Sequence, residues 1–364
     1  MAGGGALIGA QRNMFLRDIW YFAVPGESLA PGAMVHKVLL GDPIVIGREA
    51  DGTPFALRDI CPHRGVPLSA GALFSPQTSG CGTSAIECPY HGWKFRPDGQ
   101  CAEIPSLVPD QDMDIERIRV RSYPVREIQG NIWIYMADEA HPDAAPTIDP
   151  PQVPDFDETV PNIRESMIFD CHIDHAVIGL MDPAHGPFVH QAWWWRSSKS
   201  IHEKAKDFAP NPRGFTMVAH TPSSNSAGYK VLGGTPVTEI SFQLPGIRIE
   251  HIKIGKNTVC GLTTVTPLDE KRTEITQTFY WTMPFLSFAK PIARQFMRAF
   301  LGQDRDMVNL QQKGLKFEPR LMLINDSDVQ AKWYHRLKTE WAKSVEDGSE
   351  FVNPIEPITL RWRS

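Results

Sequence analysis

The chain has 364 residues, a formal net charge of −5 and 42% hydrophobic residues, which is enough apolar material for more than one folded core. Because no basic excess exists, we expect neither a nucleic-acid partner nor an anionic membrane surface. No continuous apolar stretch approaches the roughly 18 residues of a membrane span, so we expect no transmembrane helix.

The cysteine content indicates the compartment. Six cysteines are too few for a disulfide scaffold, and the first residues, Met1 to Ala10, lack the basic start of a secretory signal. We therefore expect a cytoplasmic protein with reduced thiols. In that setting, clustered Cys and His residues indicate a metal site.

Short β-type runs broken by Gly and Pro occupy the first part of the chain. These runs predict a small all-β domain, which we place at residues 14–140. The strands predicted there include Lys37–Leu40, Ile44–Arg48, Phe55–Arg58 and Asn131–Met136.

A proline-rich segment follows, and we interpret residues 141–163 as a linker because neither a helix nor a central strand tolerates that proline density. Residues 164–364 form the second predicted domain. Helix-compatible spacing extends from Arg164 to His190, and two helices are predicted at about 289–316 and 328–346. Strands followed by helices favour an α+β fold. The predicted strands between the helical segments are Phe215–His220, Ile247–Ile254, Thr258–Thr266 and Glu274–Trp281.

Two mixed Cys/His pairs form the first candidate metal site. Cys61 and His63 lie in one Gly- and Pro-flanked loop, and Cys88 and His91 lie in a second. The set suits either a structural zinc or a [2Fe–2S] cluster with two Cys on one iron and two His on the other. A zinc finger usually groups its two Cys apart from its two His. The mixed pairs therefore favour the cluster.

The pattern around these pairs resembles the Rieske domain of the Rieske non-heme iron oxygenases, from about Asp18 to Asp138. The motif is Cys61-x-His63, Cys88-x₂-His91-Gly92-Trp93-x-Phe95-x₃-Gly99-x-Cys101-x₂-Ile104-Pro105. The 24-residue gap between His63 and Cys88 is longer than is usual in that family. We interpret Cys81, within this gap, as an insertion-loop residue. The other cysteines outside the motif ligands, Cys101, Cys171 and Cys260, we expect in the core.

The second candidate site is the segment that contains His185 and His190. Two His and one carboxylate can hold Fe(II) and leave positions open for O₂ and substrate. Pro183 and Pro187 predict a distorted segment in which both imidazole rings converge on one metal. The alternative is a His-containing helical turn without a metal.

The resemblance extends to this segment, which in the family often reads Asn-x₂-Asp-x₂-His-x₄-His. It implies that His185 and His190 are iron ligands. It also implies that Asp182 is an electron bridge, hydrogen-bonded to His185 and to His91 of a neighbouring subunit. Gly179 replaces the family's Asn. A nearby group, Asp170, His172, Asp174 and His175, lacks the His spacing, and we expect it to support the ligands or to lie on the surface rather than to bind the metal.

The third ligand is expected to be a carboxylate on the first of the two predicted C-terminal helices. Asp304 shares one helical face with Met297, Phe300 and Val308, and a carboxylate on an apolar face needs a partner such as a metal. Asp306 is the second choice.

The resemblance implies the rest of the hypothesis. The second domain would be a helix-grip (START-like) fold, with an antiparallel sheet and helices around an apolar pocket. No nucleotide-binding motif occurs, so electrons would come from a separate ferredoxin or NAD(P)H-dependent reductase. A homotrimeric terminal oxygenase would hydroxylate or N-/O-dealkylate a hydrophobic, aromatic small molecule. The alternatives are ring dihydroxylation, or a non-catalytic electron-transfer or zinc protein with a ligand-binding domain. The candidate pocket residues are Val177, Ile178, Leu180, Phe188, Trp193, Trp194, Trp195, Phe279, Trp281 and Phe285.

Overall fold

The computed structural model describes residues 15–108, 110–190, 201–222 and 234–364. In the N-terminal part, Gly- and Pro-rich turns divide the chain into short strands, as the sequence predicts. These strands are β1 (Ile19–Pro25), β2 (Met34–Leu39), β3 (Asp42–Arg48), β4 (Pro54–Arg58), β5 (Ala72–Phe74), β6 (Ala85–Glu87), β7 (Lys94–Phe95), β8 (Cys101–Glu103), β9 (Ser122–Tyr123), β10 (Val125–Ile128) and β11 (Asn131–Met136).

The N-terminal strands form three antiparallel sheets with the orders β1-β11-β10, β2-β3-β4-β9 and β5-β6-β7-β8. A small core between the second and third of these sheets contains Phe55, Leu57, Ile86 and Phe95. The second Cys/His loop joins β6 to β7, and the first precedes β5. The loops are therefore presented at one end of a rigid β framework.

The proline-rich segment contains no named helix or strand between β11 and β12. It is nevertheless anchored. The side chain of Gln129 donates to the carbonyls of Val153 and Phe156 and accepts from the Val153 amide, and both apolar side chains are buried. The boundaries at 140 and 164 stay a prediction, since these contacts and the bond between Asp155 and His251 at 2.9 Å tie the segment to both parts of the chain.

The C-terminal part is built on an eight-stranded antiparallel sheet with the order β12-β18-β17-β16-β15-β14-β13-β19. Together with its helices it confirms the α+β class. Its elements are β12 (Ile163–Phe169), α1 (Ile173–Met181), α2 (Gly186–Val189), β13 (Glu203–Asn211), β14 (Gly214–His220), β15 (Val237–Gln243), β16 (Ile247–Ile254), β17 (Asn257–Asp269), β18 (Arg272–Trp281), α3 (Lys290–Leu315), α4 (Val329–Asp347) and β19 (Ile358–Arg363).

The helical interpretation of residues 164–190 was wrong at its start. Residues 163–169 form β12, which pairs along its whole length with β18. The spacing of apolar residues in this segment is compatible with a helix and with a strand. Pairing with β18, more than a hundred residues away, decides in favour of the strand. The helix α1 begins only at Ile173.

The long helices α3 and α4 end within one residue of their predicted bounds. Two hydrogen bonds, one buried and one partly buried, join the two parts of the chain: Asn131 donates to the hydroxyl of Tyr280 at 2.7 Å, and Trp341 donates to the carbonyl of Arg17 at 2.8 Å. None of the helices in the described ranges combines the length and apolar character that crossing a bilayer requires.

Candidate metal centres

The two Cys/His loops have the same backbone hydrogen-bond pattern. In the first, the amide of Cys61 donates to the carbonyl of Val66, and the amide of Gly65 donates back to the Cys61 carbonyl. In the second, the amide of Cys88 donates to the Trp93 carbonyl, and the Gly92 amide donates back to the Cys88 carbonyl. The loops are therefore two copies of one six-residue turn.

A glycine closes each turn for a steric reason. Gly65 has a φ of +73° and Gly92 a φ of +70°, the left-handed region that residues with a Cβ rarely adopt. The Gly one or two residues after each His is thus what lets the chain fold back and present Cys and His side chains together.

The four side chains differ in exposure. Both Cys side chains are buried, whereas His63 and His91 are exposed, with ring centroids 4.6 Å apart. Burial raises the pKa of the Cys61 thiol, and the neighbouring Cys88 adds to the effect. Desolvation and the nearby His91 lower the pKa of His63, which favours the neutral imidazole that binds metals.

The spread of the four ligand atoms favours a two-metal cluster. Bonds of about 2.0–2.3 Å would bring all the ligand atoms of one zinc ion within about 4 Å of one another. Within the described ranges, one group of three or more candidate ligands has all its ligand atoms within 4.8 Å of one another. That group lies in the C-terminal part and includes none of the four Cys and His residues. The Cys/His quartet is not among the groups this compact, which agrees better with two irons bridged by sulfide than with one zinc.

That compact set consists of His185, His190 and Asp304. The distorted segment predicted from its prolines is present: α1 ends at Met181 and the short helix α2 lies between the two His. The Nε2 atoms of the two rings are 3.1 Å apart, and the Asp304 carboxylate on α3 is 3.1 Å from His190 Nε2 and 3.7 Å from His185 Nε2.

The hydrogen bonds of the two rings show that this set fits a cation. His185 Nδ1 is 2.8 Å from the Asp182 carbonyl, and His190 Nδ1 is 2.9 Å from Gln303 Oε1. Both partners only accept, so both Nδ1 atoms must carry the proton. Two Nε2 lone pairs and a carboxylate therefore face one point, and a metal ion is what satisfies them.

Asp182 lies directly beside this set. Its carboxylate accepts from the Ala184 amide at 2.7 Å and lies 3.6 Å from His185 Nδ1. The acceptor of the short hydrogen bond from His185 Nδ1 is therefore the main-chain carbonyl of Asp182 and not its carboxylate. Burial lowers the pKa of His185, but the Asp182 and Asp304 carboxylates outweigh it and the pKa is raised overall. At Gly179, a Cβ would meet no atom within 4 Å, so the position of the family Asn is open space.

Asp306, the second choice for the third ligand, lies outside the set. Its side chain is 70% exposed and pairs with Arg305 at 3.2 Å. Of the two aspartates, Asp306 is therefore the one exposed to solvent. The helical phase of α3 separates it from Asp304, which lies between the buried residues Leu301 and Val308.

The group upstream of the His segment supports α1. Asp174 accepts from the Tyr334 hydroxyl at 2.7 Å and from Lys338 Nζ at 2.7 and 2.8 Å, which ties α1 to α4. Burial raises the pKa of Asp174, but hydrogen bonding with His172 and the Lys338 charge outweigh burial and the pKa is lowered.

Asp174→Asn is therefore expected to reduce the free energy of unfolding by about 2–3 kcal/mol at pH 7. Because the folded pKa is depressed, this stability is present above the unfolded pKa of about 3.9 and is lost as the pH falls through the folded value. Urea unfolding of wild type and Asp174→Asn at pH 7 and at about pH 2.5 measures the difference, which should shrink at the lower pH. Asp170→Asn, at an exposed position just before α1, is the control. Equal losses in both variants would contradict the account.

A cavity of about 380 Å³ adjoins the set. Its walls are mainly apolar, and His185, Asp304 and Asp182 lie at its edge. Ile178 and Leu180 line it as expected. The other predicted pocket residues that the structure describes do not line it: Val177, Phe188, Phe279, Trp281 and Phe285. Trp193–Trp195 lie outside the described residues.

Comparison with known proteins identifies both parts of the chain. The Rieske [2Fe-2S] domain matches residues 19–124, and the Vanillate O-demethylase oxygenase C-terminal domain matches residues 169–344. The chain belongs to the Rieske non-heme iron oxygenases. In this family the first domain carries a [2Fe–2S] cluster and the second a mononuclear iron, in agreement with the two donor sets.

Among curated relatives, the dicamba O-demethylase oxygenase component of Stenotrophomonas maltophilia is 34% identical over 182 residues, which cover 49% of this chain and 48% of the relative. The chloroacetanilide N-alkylformylase oxygenase component of Rhizorhabdus wittichii is 32% identical over 184 residues, with the same two coverages. The chain thus spans less than half the length of the first curated relatives that it matches.

Solved structures support the fold over nearly the whole chain. The caffeine-bound NdmA mutant of Pseudomonas putida CBB5 has a TM-score of 0.71 at 18% identity, and the match covers 94% of this chain and 96% of that one.

The long gap between the two Rieske loops contains β5, β6 and the loop with Cys81. The Cys81 thiol is hydrogen-bonded to Ser79 at 3.3 Å, and although desolvation raises its pKa, that bond and those with Thr83 lower it overall. Cys81→Ser is expected to keep the visible absorption and sulfide of the cluster, because the thiol has its own partners. Cys88→Ser is the positive control, with loss expected. Loss of the visible absorption of the cluster in Cys81→Ser would instead show that Cys81 is a cluster ligand.

Two further residues contact His190 of the second set, and the sequence reasoning missed the first of them. Gln303 binds His190 Nδ1, and the ring of Phe300 stacks on His190 with centroids 3.5 Å apart. Phe300 had been placed on the same helical face as Asp304. Nothing in the sequence distinguishes Gln303 from the other glutamines of α3.

Proposed function

We propose that the chain is the terminal oxygenase component of a multicomponent system that dealkylates or hydroxylates a hydrophobic aromatic small molecule. The observation that carries the proposal is the convergence of His185, His190 and Asp304 within 4.8 Å, downstream of the Rieske loops. A pure electron-transfer or zinc protein would not need this second donor set.

In this proposal each residue has a stated task. Cys61, His63, Cys88 and His91 hold the cluster, and the triad holds the iron on three of its positions. When bound, the cluster would supply single electrons and the iron the site at which O₂ is used.

Asp182 is proposed to link the two centres. It is one-third exposed, so its carboxylate can accept a hydrogen bond from His91 of the partner subunit. Its main-chain carbonyl meanwhile orients His185. Such a link requires a head-to-tail contact, and ring closure of that contact gives the homotrimer that we propose.

The substrate class follows from the cavity and the relatives. A volume of about 380 Å³ suits a small ring compound, and the mainly apolar walls favour its burial. Gln277 and Gln311 are polar groups that could orient it. The relatives whose names describe O-demethylation and N-alkylformylase activity favour dealkylation over dihydroxylation. Hydroxylation of a carbon bound to O or N produces an adduct that collapses to the dealkylated product.

The proposed electron donor is a separate ferredoxin or NAD(P)H-dependent reductase, since the relatives are described as oxygenase components. We propose the cytoplasm as the compartment. All six cysteines are free, which suits a reducing environment.

The test is a panel of aromatic methyl ethers, N-methyl amides and unsubstituted aromatic acids, incubated with a surrogate reductase and NADH. Dealkylation predicts substrate-dependent O₂ uptake matched by formaldehyde. Formation of a cis-diol would support dihydroxylation instead. Reduction of the cluster without substrate-dependent O₂ uptake on any member would favour the electron-transfer alternative.

A further inference from the structure

The imidazole ring of His190 is held on two sides by side chains from one helix. Gln303 Oε1 lies 2.9 Å from Nδ1, and the Phe300 ring stacks on the imidazole at an interplanar angle of 14°. Phe300, Gln303 and Asp304 are spaced by three and four residues on α3, so one helical turn presents all three groups to the same ring.

We infer that Gln303 is a positioning residue that fixes the tautomer and orientation of His190 for metal binding, an inference that rests on the proposed iron centre. An amide oxygen can only accept, so it holds the proton on Nδ1 and leaves the Nε2 lone pair directed toward Asp304, 3.1 Å away. His190 is only 4% exposed, so water cannot readily replace the glutamine.

The other ring shows why this position matters. His185 Nδ1 donates to the main-chain carbonyl of Asp182, a partner that no side-chain substitution removes. In His190 the same task falls to a replaceable side chain. Without Gln303, the Nδ1 proton would be buried and unpaired, or would move to Nε2 and block the ligand atom.

The test uses Gln303→Met, which keeps the length of the side chain but removes the acceptor, and Gln303→Glu, which restores one. Gln295→Met, at an exposed position on the same helix, is the matched control. Each purified protein, with its cluster intact and the mononuclear site stripped, is titrated with Co(II) by equilibrium dialysis. The visible spectrum of the cluster and the melting temperature of the stripped protein report on folding.

We expect Gln303→Met to bind Co(II) about 10- to 100-fold more weakly, with its melting temperature little changed. Gln303→Glu and Gln295→Met should bind close to wild type. Wild-type affinity in Gln303→Met, or equal weakness in Gln303→Met and Gln303→Glu, would overturn the inference while leaving the iron centre intact. A wild-type protein that binds no Co(II) would overturn the centre as well.

Discussion

Asp304→Ala is expected to remove the mononuclear iron and abolish turnover while the Rieske cluster stays in place. The Asp304 carboxylate is the only anion of the three-residue set, and it lies within 3.7 Å of both His Nε2 atoms. Two neutral imidazoles alone bind Fe(II) far more weakly than the complete triad. The proposed cluster ligands lie in loops of the N-terminal part, so their geometry should not change.

Metal analysis and visible spectroscopy of the same sample measure both halves of this expectation. Iron should fall from about three to about two per chain, with about two sulfides retained. Asp306→Ala, which removes the exposed carboxylate two residues later, should lose neither iron nor activity. If Asp304→Ala kept its third iron, or Asp306→Ala lost it, the ligand assignment would be wrong.

Asp182→Asn is expected to keep both centres and to slow turnover by about 100-fold. The substitution preserves the size of the side chain and the main-chain carbonyl that orients His185. It removes the negative charge beside that ring, and the amide nitrogen cannot accept from His91 of the partner subunit. The affected step is therefore transfer between the centres.

Single-turnover kinetics isolates that step. A protein with reduced cluster is mixed with O₂ and substrate, and the return of the oxidised cluster spectrum is followed. Asp182→Asn should show slow re-oxidation with full iron content, whereas Asp170→Asn should behave as wild type. Re-oxidation of Asp182→Asn at the wild-type rate would contradict the bridging role.

The Rieske loops were predictable because their chemistry is local. Each Cys and His lies in one turn, and the glycines at 65 and 92 follow each His where a positive φ is needed. The helices α3 and α4 were predictable for a similar reason, since their apolar spacing over about seven and five turns, respectively, leaves little ambiguity.

Other features depend on contacts between distant residues. Strand β12 was mistaken for helix because β18, which pairs with it, lies far along the chain. Strand β19 pairs with β13 across more than 140 residues, and neither was predicted. Gln303 was missed for the same reason, because its role appears only when α3 packs against the segment that carries His190.

The central claim is that one chain holds a two-iron Rieske cluster and a separate mononuclear iron. Iron, zinc and acid-labile sulfide measured on the purified protein, after anaerobic incubation with Fe(II), test it most directly. We predict about three irons, about two sulfides and no stoichiometric zinc per chain. Two irons with two sulfides, or one zinc without sulfide, would contradict it.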